Sequence, residues 1–354
     1  MGNENDEIRI LIMEKGLIYL QKEFWTSFER DRNRPDRIVT FGKMYDVLTK
    51  SNILTNIPER DWETNPLLYY LCQDSSDSNG PKIKQTKLGE VEESLYGSKS
   101  IRNVTTVFLL DESTMMCDGY SRRMGILCLN ADMIYKKEKY LNIIPIPHHK
   151  NDEESEPFST CKEFFIAPCN SVIIIDPYIL LDEKKYSVIE IIDNNLVPLL
   201  DSILPDSIDI EGGFHISIFS QPLNSKIGIE EIFTHIKDEI MRIRPKLTVN
   251  ISIFHIKTPG NGKGVFHNRY VLTNTLFIKC GYGFAVYEKK GEQFLCTKED
   301  TINVFYPTLL GNRVEYVQWI NNCKKESPIK EGPIEGLNNR LLGNPVETKA
   351  IDLN

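Results

Sequence analysis

The feature that most constrains the fold of this 354-residue chain is an alternation of strand and helix patterns between residues 171 and 255. The stretch "SVIIID" is a continuous apolar run, typical of a strand buried on both faces. It is followed by "SVIEIIDNNLVPLLDSIL", which has helical spacing and Ser187 as its cap. The patterns then recur as a strand (214–218), a helix (229–240) and a strand (249–253). Such alternation predicts an α/β fold with a largely parallel sheet flanked by helices.

The rest of this half adds shorter elements. The turn-forming "TPGNGKG" predicts a hairpin between "VNISIFHIK" and "VFHNRYVLT". Two further strands, "LFIKC" and "GFAVYEK", and a helix, "VEYVQWINNC", complete the predicted second domain, residues 161–323. The tail, 324–354, contains proline, glycine and charge, and we expect a surface segment rather than a domain.

The first 147 residues predict an N-terminal α/β domain of unknown role. Helical spacing runs through residues 6–32 and "RIVTFGKMYDVL", and "VTTVFLL" and "GILCLN" have strand patterns. The polar stretches Gln73–Glu90 and "DESTMMCDGYSRR" predict loops. Residues 148–160, "HHKNDEESEPFST", carry four acidic residues and a proline, which predicts an acidic linker with solvated histidines and carboxylates.

Composition limits the partners. With 42 basic and 50 acidic side chains, the net charge is -8, which argues against extensive wrapping of nucleic acid and means that an anionic ligand needs a local site. The eight cysteines form no CxxC pair, which predicts reduced core thiols, a cytoplasmic compartment and no structural zinc. No run approaches the ~18 apolar residues of a membrane span, so no transmembrane segment is expected. We predict no metal site and no cofactor.

The stretch "VFHNRYVLTN", residues 265–274, is the candidate site. Alternate residues of a strand share a face, so His267 and Arg269 project side by side. An imidazole can attack phosphorus and a guanidinium can hold two phosphate oxygens. The simpler pattern H-x-K occurs three other times, but only here does an amide, Asn274, follow five positions beyond the base. Asn274 is predicted to orient a side chain or contact a ligand.

This stretch resembles the H-x-K-x4-D/N signature of the phospholipase D superfamily, with arginine for lysine and asparagine for the acid. Together with "IIIDPYILL" and "LFIKCGYGFAVYEKK", it is similar to the phospholipase-D-like domain at the C-terminus of microtubule-interacting-and-trafficking (MIT) proteins. The resemblance covers residues 161–323. It implies a phosphate-binding fold, in which active members bring two motif copies together and the MIT-associated branch binds phospholipid without catalysis. Similar bacterial domains are associated with nucleic-acid processing and antiviral defense.

Four other residues are candidates for the same site. Asp176 follows a buried strand, a position that in α/β sheets carries either functional groups or turn-forming residues. Lys263 lies in a glycine loop that either cradles phosphate or only forms a turn. Lys279 supplies a supporting charge, and Tyr282 offers a face for a base or a lipid glycerol.

Three functions remain open at this point. The first is recognition of a phosphate-bearing ligand, either nucleic acid or an anionic lipid headgroup, by a non-catalytic domain. The second is a homodimeric phosphodiesterase or nuclease of phospholipase D type, in which two copies of His267 meet at one phosphate. The third is a protein-interaction adaptor.

Overall fold

The computed structural model describes residues 17–30, 32–74, 81–85, 107–136, 138–181, 186–210, 212–221, 227–256, 269–310, 313–326 and 341. This part of the chain is a mixed α/β structure with one five-stranded, one seven-stranded and one three-stranded sheet. The strands are β1 (Leu17–Leu20), β2 (Asn52–Thr55), β3 (Ile83–Gln85), β4 (Val107–Leu109), β5 (Leu127–Leu129), β6 (Ile144–His148), β7 (Glu153–Glu154), β8 (Ser171–Ile175), β9 (Phe214–Ser220), β10 (Val249–His255), β11 (Arg269–Thr273), β12 (Phe277–Cys280), β13 (Tyr287–Lys290), β14 (Gln293–Cys296) and β15 (Asp300–Phe305).

Helices connect and cover these strands. The α-helices within the described residues are α1 (Lys22–Arg30), α2 (Ile38–Thr49), α3 (Pro66–Asp74), α4 (Thr114–Met124), α5 (Ala131–Lys136), α6 (Lys162–Phe165), α7 (Val188–Ile191), α8 (Val197–Ile203), α9 (Ile229–Ile243) and α10 (Val314–Glu326). A π-helical turn, Ile192–Leu196, joins α7 to α8, and 3₁₀ turns span Glu59–Thr64 and Glu138–Leu141. In the part of the chain that is described, no helix is both long and apolar enough to cross a bilayer.

The first sheet is entirely parallel, in the order β3-β2-β1-β4-β5. Helical structure was predicted from the spacing in residues 6–32, and for the central strand of this sheet that prediction is wrong. Residues 17–20 are a strand, and the helix begins only at Lys22. All four residues of β1 are buried, because a central parallel strand is covered on both faces. The helical spacing that Leu20 shares with Phe24 and Phe28 crosses this strand–helix junction.

Two predicted loops of the first half contain regular structure. The stretch Gln73–Glu90 includes the edge strand β3, and "DESTMMCDGYSRR" forms most of α4. Ser113 caps α4 by accepting a hydrogen bond from Met116 N, and Cys117, Tyr120 and Met124 are buried at helical spacing. This short apolar stripe is masked in the sequence by the polar residues around it.

The second sheet has the order β10-β9-β8-β11-β12-β15-β6. Strands β8, β9 and β10 are parallel, which confirms the predicted βαβαβ order, and Ser187 forms a capping box with Glu190 at the start of its helix. The prediction that this sheet is largely parallel is wrong, because the four remaining strand pairs, from β8–β11 to β15–β6, are antiparallel. The predicted β10–β11 hairpin is wrong, because β11 pairs with β8 and β12 and two strands separate it from β10. A glycine-rich sequence between two strand patterns does not specify which strands pair, and residues 257–268 lie outside the described part of the chain.

The two faces of the second sheet pack against different partners. Ile173, Ile175 and Tyr270 belong to a cluster that includes residues of α10. Val172 and Ile174, on the opposite face, belong to a core that is continuous with that of the first sheet. The eight cysteines carry thiols rather than disulfides, and seven of them are buried, as predicted for core thiols.

Candidate functional site

The candidate site lies where the strand order of the second sheet reverses. From β8 the chain proceeds outward to β9 and β10, and then returns to place β11 on the other side of β8. In open α/β sheets, ligands bind at such a switch point, outside the carboxyl ends of the parallel strands. Asp176 directly follows β8 and Arg269 begins β11, so the structure brings these two predicted residues together at the switch point.

Asp176 is a buried anchor for two backbone segments. Its carboxylate is 1% exposed and accepts hydrogen bonds from the amides of Phe284 at 2.7 Å and Tyr178 at 2.9 Å. Burial raises the pKa of Asp176 above its ordinary value, and these two amides and the charges of Arg269 and Lys298 oppose that rise. The carboxylate therefore fixes the backbone at Tyr178 and Phe284 and has little contact with solvent.

Arg269 is held in place from two sides. Its guanidinium donates a hydrogen bond of 2.7 Å to the carbonyl oxygen of Gly281 and lies 5.0 Å from the ring centroid of Tyr178. An arginine over a tyrosine ring gains a cation–π attraction and loses rotamer freedom. Arg269 is half-buried, so a cation of defined position stands at the end of β8.

The turn 281–284 closes the site, and Gly283 is required for its shape. Gly283 has a φ of +92°, and a Cβ added there would lie 2.6 Å from Asp176 Oδ2 and 3.1 Å from Arg269 Cγ. On its other side, the turn is held by Asp300, whose Oδ2 accepts from Tyr282 N at 2.6 Å. Burial opposes ionisation of Asp300, but the Cys280 thiol and backbone amides outweigh it and lower the pKa of this carboxyl.

Of the other predicted site residues, Tyr282 lies in the turn 281–284 at Arg269, whereas Lys279 and Asn274 lie elsewhere. Lys279 pairs with Tyr270 across β11 and β12, on the face that packs against α10, and its Nζ bonds Glu315 Oε1 at 2.8 Å. Asn274 lies beyond the far end of β11, ~16 Å from the backbone of Arg269 at strand spacing. His267 and Lys263 lie outside the described residues.

Sequence reasoning missed two residues of this site, Lys298 and Asp300. Lys298 precedes β15 and Asp300 begins it, and the sequence pattern did not indicate this strand. Lys298 acts on the Asp176 carboxyl electrostatically, and Asp300 holds the turn. No sequence signal could have found them, because they reach the site only through the pairing of β15 with β12, which places Asp300 beside Gly281 and Tyr282.

A separate buried network involves the segment predicted to be a linker. His148, in β6, is 4% exposed, with its Nε2 3.1 Å from Cys161 Sγ and its Nδ1 3.0 Å from the Tyr287 hydroxyl. Tyr287 donates its only hydroxyl proton to Glu154 at 2.8 Å. His148 Nδ1 is therefore the donor to Tyr287, and Nε2 accepts from the thiol. The prediction that His148 is solvated is wrong, because it lies in this buried network with Glu154, whereas His149, Asp152 and Glu153 are exposed as predicted.

Burial determines the chemistry of that network. It raises the pKa of Cys161 to about 12 and lowers the pKa of His148, so a neutral thiol faces a neutral imidazole. Cys161 is fully buried. The arrangement resembles a nucleophile and its base, but an inaccessible neutral thiol stabilises structure instead. Among the described residues, no group of three or more histidine, cysteine or acidic side chains is placed to hold a metal ion.

Comparison with known proteins leaves the family open. No protein-family model matches the chain, and no curated protein matches it. What the molecule itself establishes is its class, a mixed α/β protein with a fully parallel five-stranded sheet.

Proposed function

We propose that this protein recognises a phosphate-bearing ligand at the end of β8 and β11 through Arg269. The observation that carries the proposal is the fixed guanidinium at the switch point of the second sheet, held between Gly281 O and the Tyr178 ring. A guanidinium matches phosphate geometry and stays charged at every physiological pH. The resemblance of residues 161–323 to phospholipase-D-like domains supports the same chemistry.

The site is better suited to recognition than to large electrostatic attraction. Two cations, Arg269 and Lys298, act on the buried Asp176, and Asp300 adds a second carboxylate at the turn. Among the described residues these charges balance, so there a phosphate gains from directed hydrogen bonds more than from a broad positive field. This agrees with a chain whose net charge is -8.

The test is binding of the full chain to two phosphate sources, a labelled single-stranded oligonucleotide and vesicles containing phosphoinositide. We expect Arg269→Ala to weaken binding about 10- to 100-fold, the value of a charged hydrogen-bonded contact. Arg269→Gln, which retains a donor for Gly281 O, should lose binding similarly if the charge is what matters. Arg242→Gln, in an exposed pair with Glu239 on α9, is the control and should bind as wild type.

Three outcomes separate the remaining functions. Unchanged binding in both folded Arg269 variants contradicts the proposal. Turnover of a phosphodiester that disappears in His267→Ala, together with a dimer in solution, would establish the phosphodiesterase instead. If the folded protein binds neither phosphate source and shows no turnover, the adaptor function is the remaining alternative, and capture of a protein partner tests it.

A further inference from the structure

Two exposed tyrosines belong to the segments that contact the guanidinium of Arg269. Tyr178, three residues beyond the end of β8, is 40% exposed, and Tyr282, in the turn 281–284, is 58% exposed. A single exposed aromatic residue on a protein surface is ordinary. These two are different because one touches Arg269 directly and the other follows Gly281, whose carbonyl Arg269 binds.

The backbones that carry both rings are held firmly. Tyr178 N donates to the buried Asp176, and Tyr282 N donates to Asp300 at 2.6 Å. The backbone before and after Tyr282 is also fixed. Gly281 O accepts a hydrogen bond from Arg269, and Phe284 N donates one to Asp176. Rings on rigid backbone segments lose little conformational entropy when a ligand packs on them, so they are pre-organised for contact.

The charge balance around the turn favours one class of phosphate ligand over the other. Binding to an anionic lipid surface relies on clusters of several basic residues, each contributing about 1 kcal/mol. In the described part of this site, the positive charges of Arg269 and Lys298 are offset by Asp176 and Asp300. A ligand that adds an aromatic face to its phosphate gains about 1–3 kcal/mol for each base that stacks on an aromatic side chain.

On this basis, and given the proposed phosphate recognition, we infer that the ligand is a single-stranded nucleic acid, with a base stacked on Tyr282 and its neighbouring phosphate on Arg269. Tyr178 holds the guanidinium from the other side. Because only one or two phosphates are engaged, binding has a shallow salt dependence, with a slope of about -0.7 for each phosphate contacted.

The experiment measures fluorescence polarisation of a labelled oligothymidylate with the full chain over a range of salt. Tyr282→Leu removes the aromatic face and should weaken binding about 5- to 150-fold. Tyr282→Phe keeps the face and should bind within about twofold of wild type. Tyr70→Leu, which removes a tyrosine of similar exposure (55%) on α3, is the control and should have no effect.

An abasic oligonucleotide and phosphatidylserine vesicles separate this inference from the proposed function. If Arg269→Ala weakens binding but the abasic strand binds as well as oligothymidylate, phosphate recognition stands and base stacking is wrong. Vesicle binding that exceeds oligonucleotide binding and depends on Arg269 assigns the site to lipid and also overturns the inference. No binding of any of the three probes by folded protein overturns both.

Discussion

The side-chain amide of Asn274 donates a hydrogen bond of 2.8 Å to the carbonyl oxygen of Gly125, 149 positions earlier in the chain. Its oxygen accepts a second bond of 2.8 Å from Asn170 N. Gly125 is the C-cap of α4, and a Cβ there would lie 2.3 Å from Cys169 O, so two backbones meet closely at this point. Asn274 therefore joins the second sheet to the helix that precedes β5 in the first.

Replacing Asn274 should reduce stability without altering ligand binding. Asn274→Ala leaves Asn170 N and Gly125 O without these bonds, and we expect the free energy of unfolding to fall by about 2–4 kcal/mol. Phosphate binding by the folded protein should stay within about twofold of wild type, because Arg269 lies at the other end of β11. Urea denaturation and binding titrations measure the two quantities.

The control for this change is Asn303→Ala, on the half-buried strand β15, whose amide makes only a 3.5 Å contact with Thr301 O. It should change the free energy of unfolding by less than about 0.5 kcal/mol. A stable Asn274→Ala protein that has lost phosphate binding would show instead that Asn274 belongs to the ligand site.

The sequence predicted the part of the fold in which local pattern and tertiary position agree. Strands β8, β9 and β10 and their helices follow from apolar spacing, because each element covers a continuous core. The strand β1 could not be predicted in this way. Its four buried residues lie directly before an amphipathic helix, and Leu20 matches the helical spacing of that helix by chance. The pairing of β11 with β8 also had no local signal, because residues about 95 positions apart meet there.

The candidate site was predictable to a similar extent. Asp176 and Arg269 meet as expected, because each stands at the end of a recognisable strand. Lys279, predicted as a supporting charge of the site, bonds Glu315 on α10 instead, because the register of β12 against β11 pairs it with Tyr270. The roles of Asp300 and Lys298 depend on β15, in which only Ile302 and Val304 are buried, so its sequence gives a weak strand signal.

Gly283 is predicted to be the glycine on which the site depends most. Gly283→Ala adds a methyl group within 2.6 Å of Asp176 Oδ2 at a φ of +92°, so it incurs both backbone strain and a steric clash. We expect a loss of about 2–4 kcal/mol in the free energy of unfolding and weaker phosphate binding by the folded fraction. Chemical denaturation and the oligonucleotide titration measure these effects.

Gly291 provides a matched comparison, since its φ is +67° and nothing lies within 4 Å of an added Cβ. Gly291→Ala should lose only the conformational contribution, about 1 kcal/mol, and should bind as wild type. Equal losses in the two variants would mean that contact with Asp176 and Arg269 contributes nothing, and that the turn is not coupled to the site.

The buried imidazole of His148 predicts that stability falls as the solution becomes acidic. Burial lowers the pKa of His148, and this effect exceeds the opposing influence of Glu154, Asp152 and Asp300. The unfolded chain therefore takes up a proton near the ordinary histidine pKa of about 6.5, whereas the folded protein resists it until lower pH. The contribution of His148 is fully present above pH ~6.5 and declines below it, by at most about 1.4 kcal/mol per pH unit.

His148→Gln tests this assignment against its sequence neighbour. The variant should be less stable at pH 7.5, because the bonds to Cys161 and Tyr287 are disturbed, and should lose less further stability between pH 7.5 and 5.5 than wild type does. His149→Gln, at an exposed imidazole, should keep the wild-type pH dependence. Urea unfolding at both pH values measures these losses. If His148→Gln loses as much stability on acidification as wild type, the proton is taken up by another group. The tautomer assigned to the His148–Tyr287–Glu154 network then loses its support.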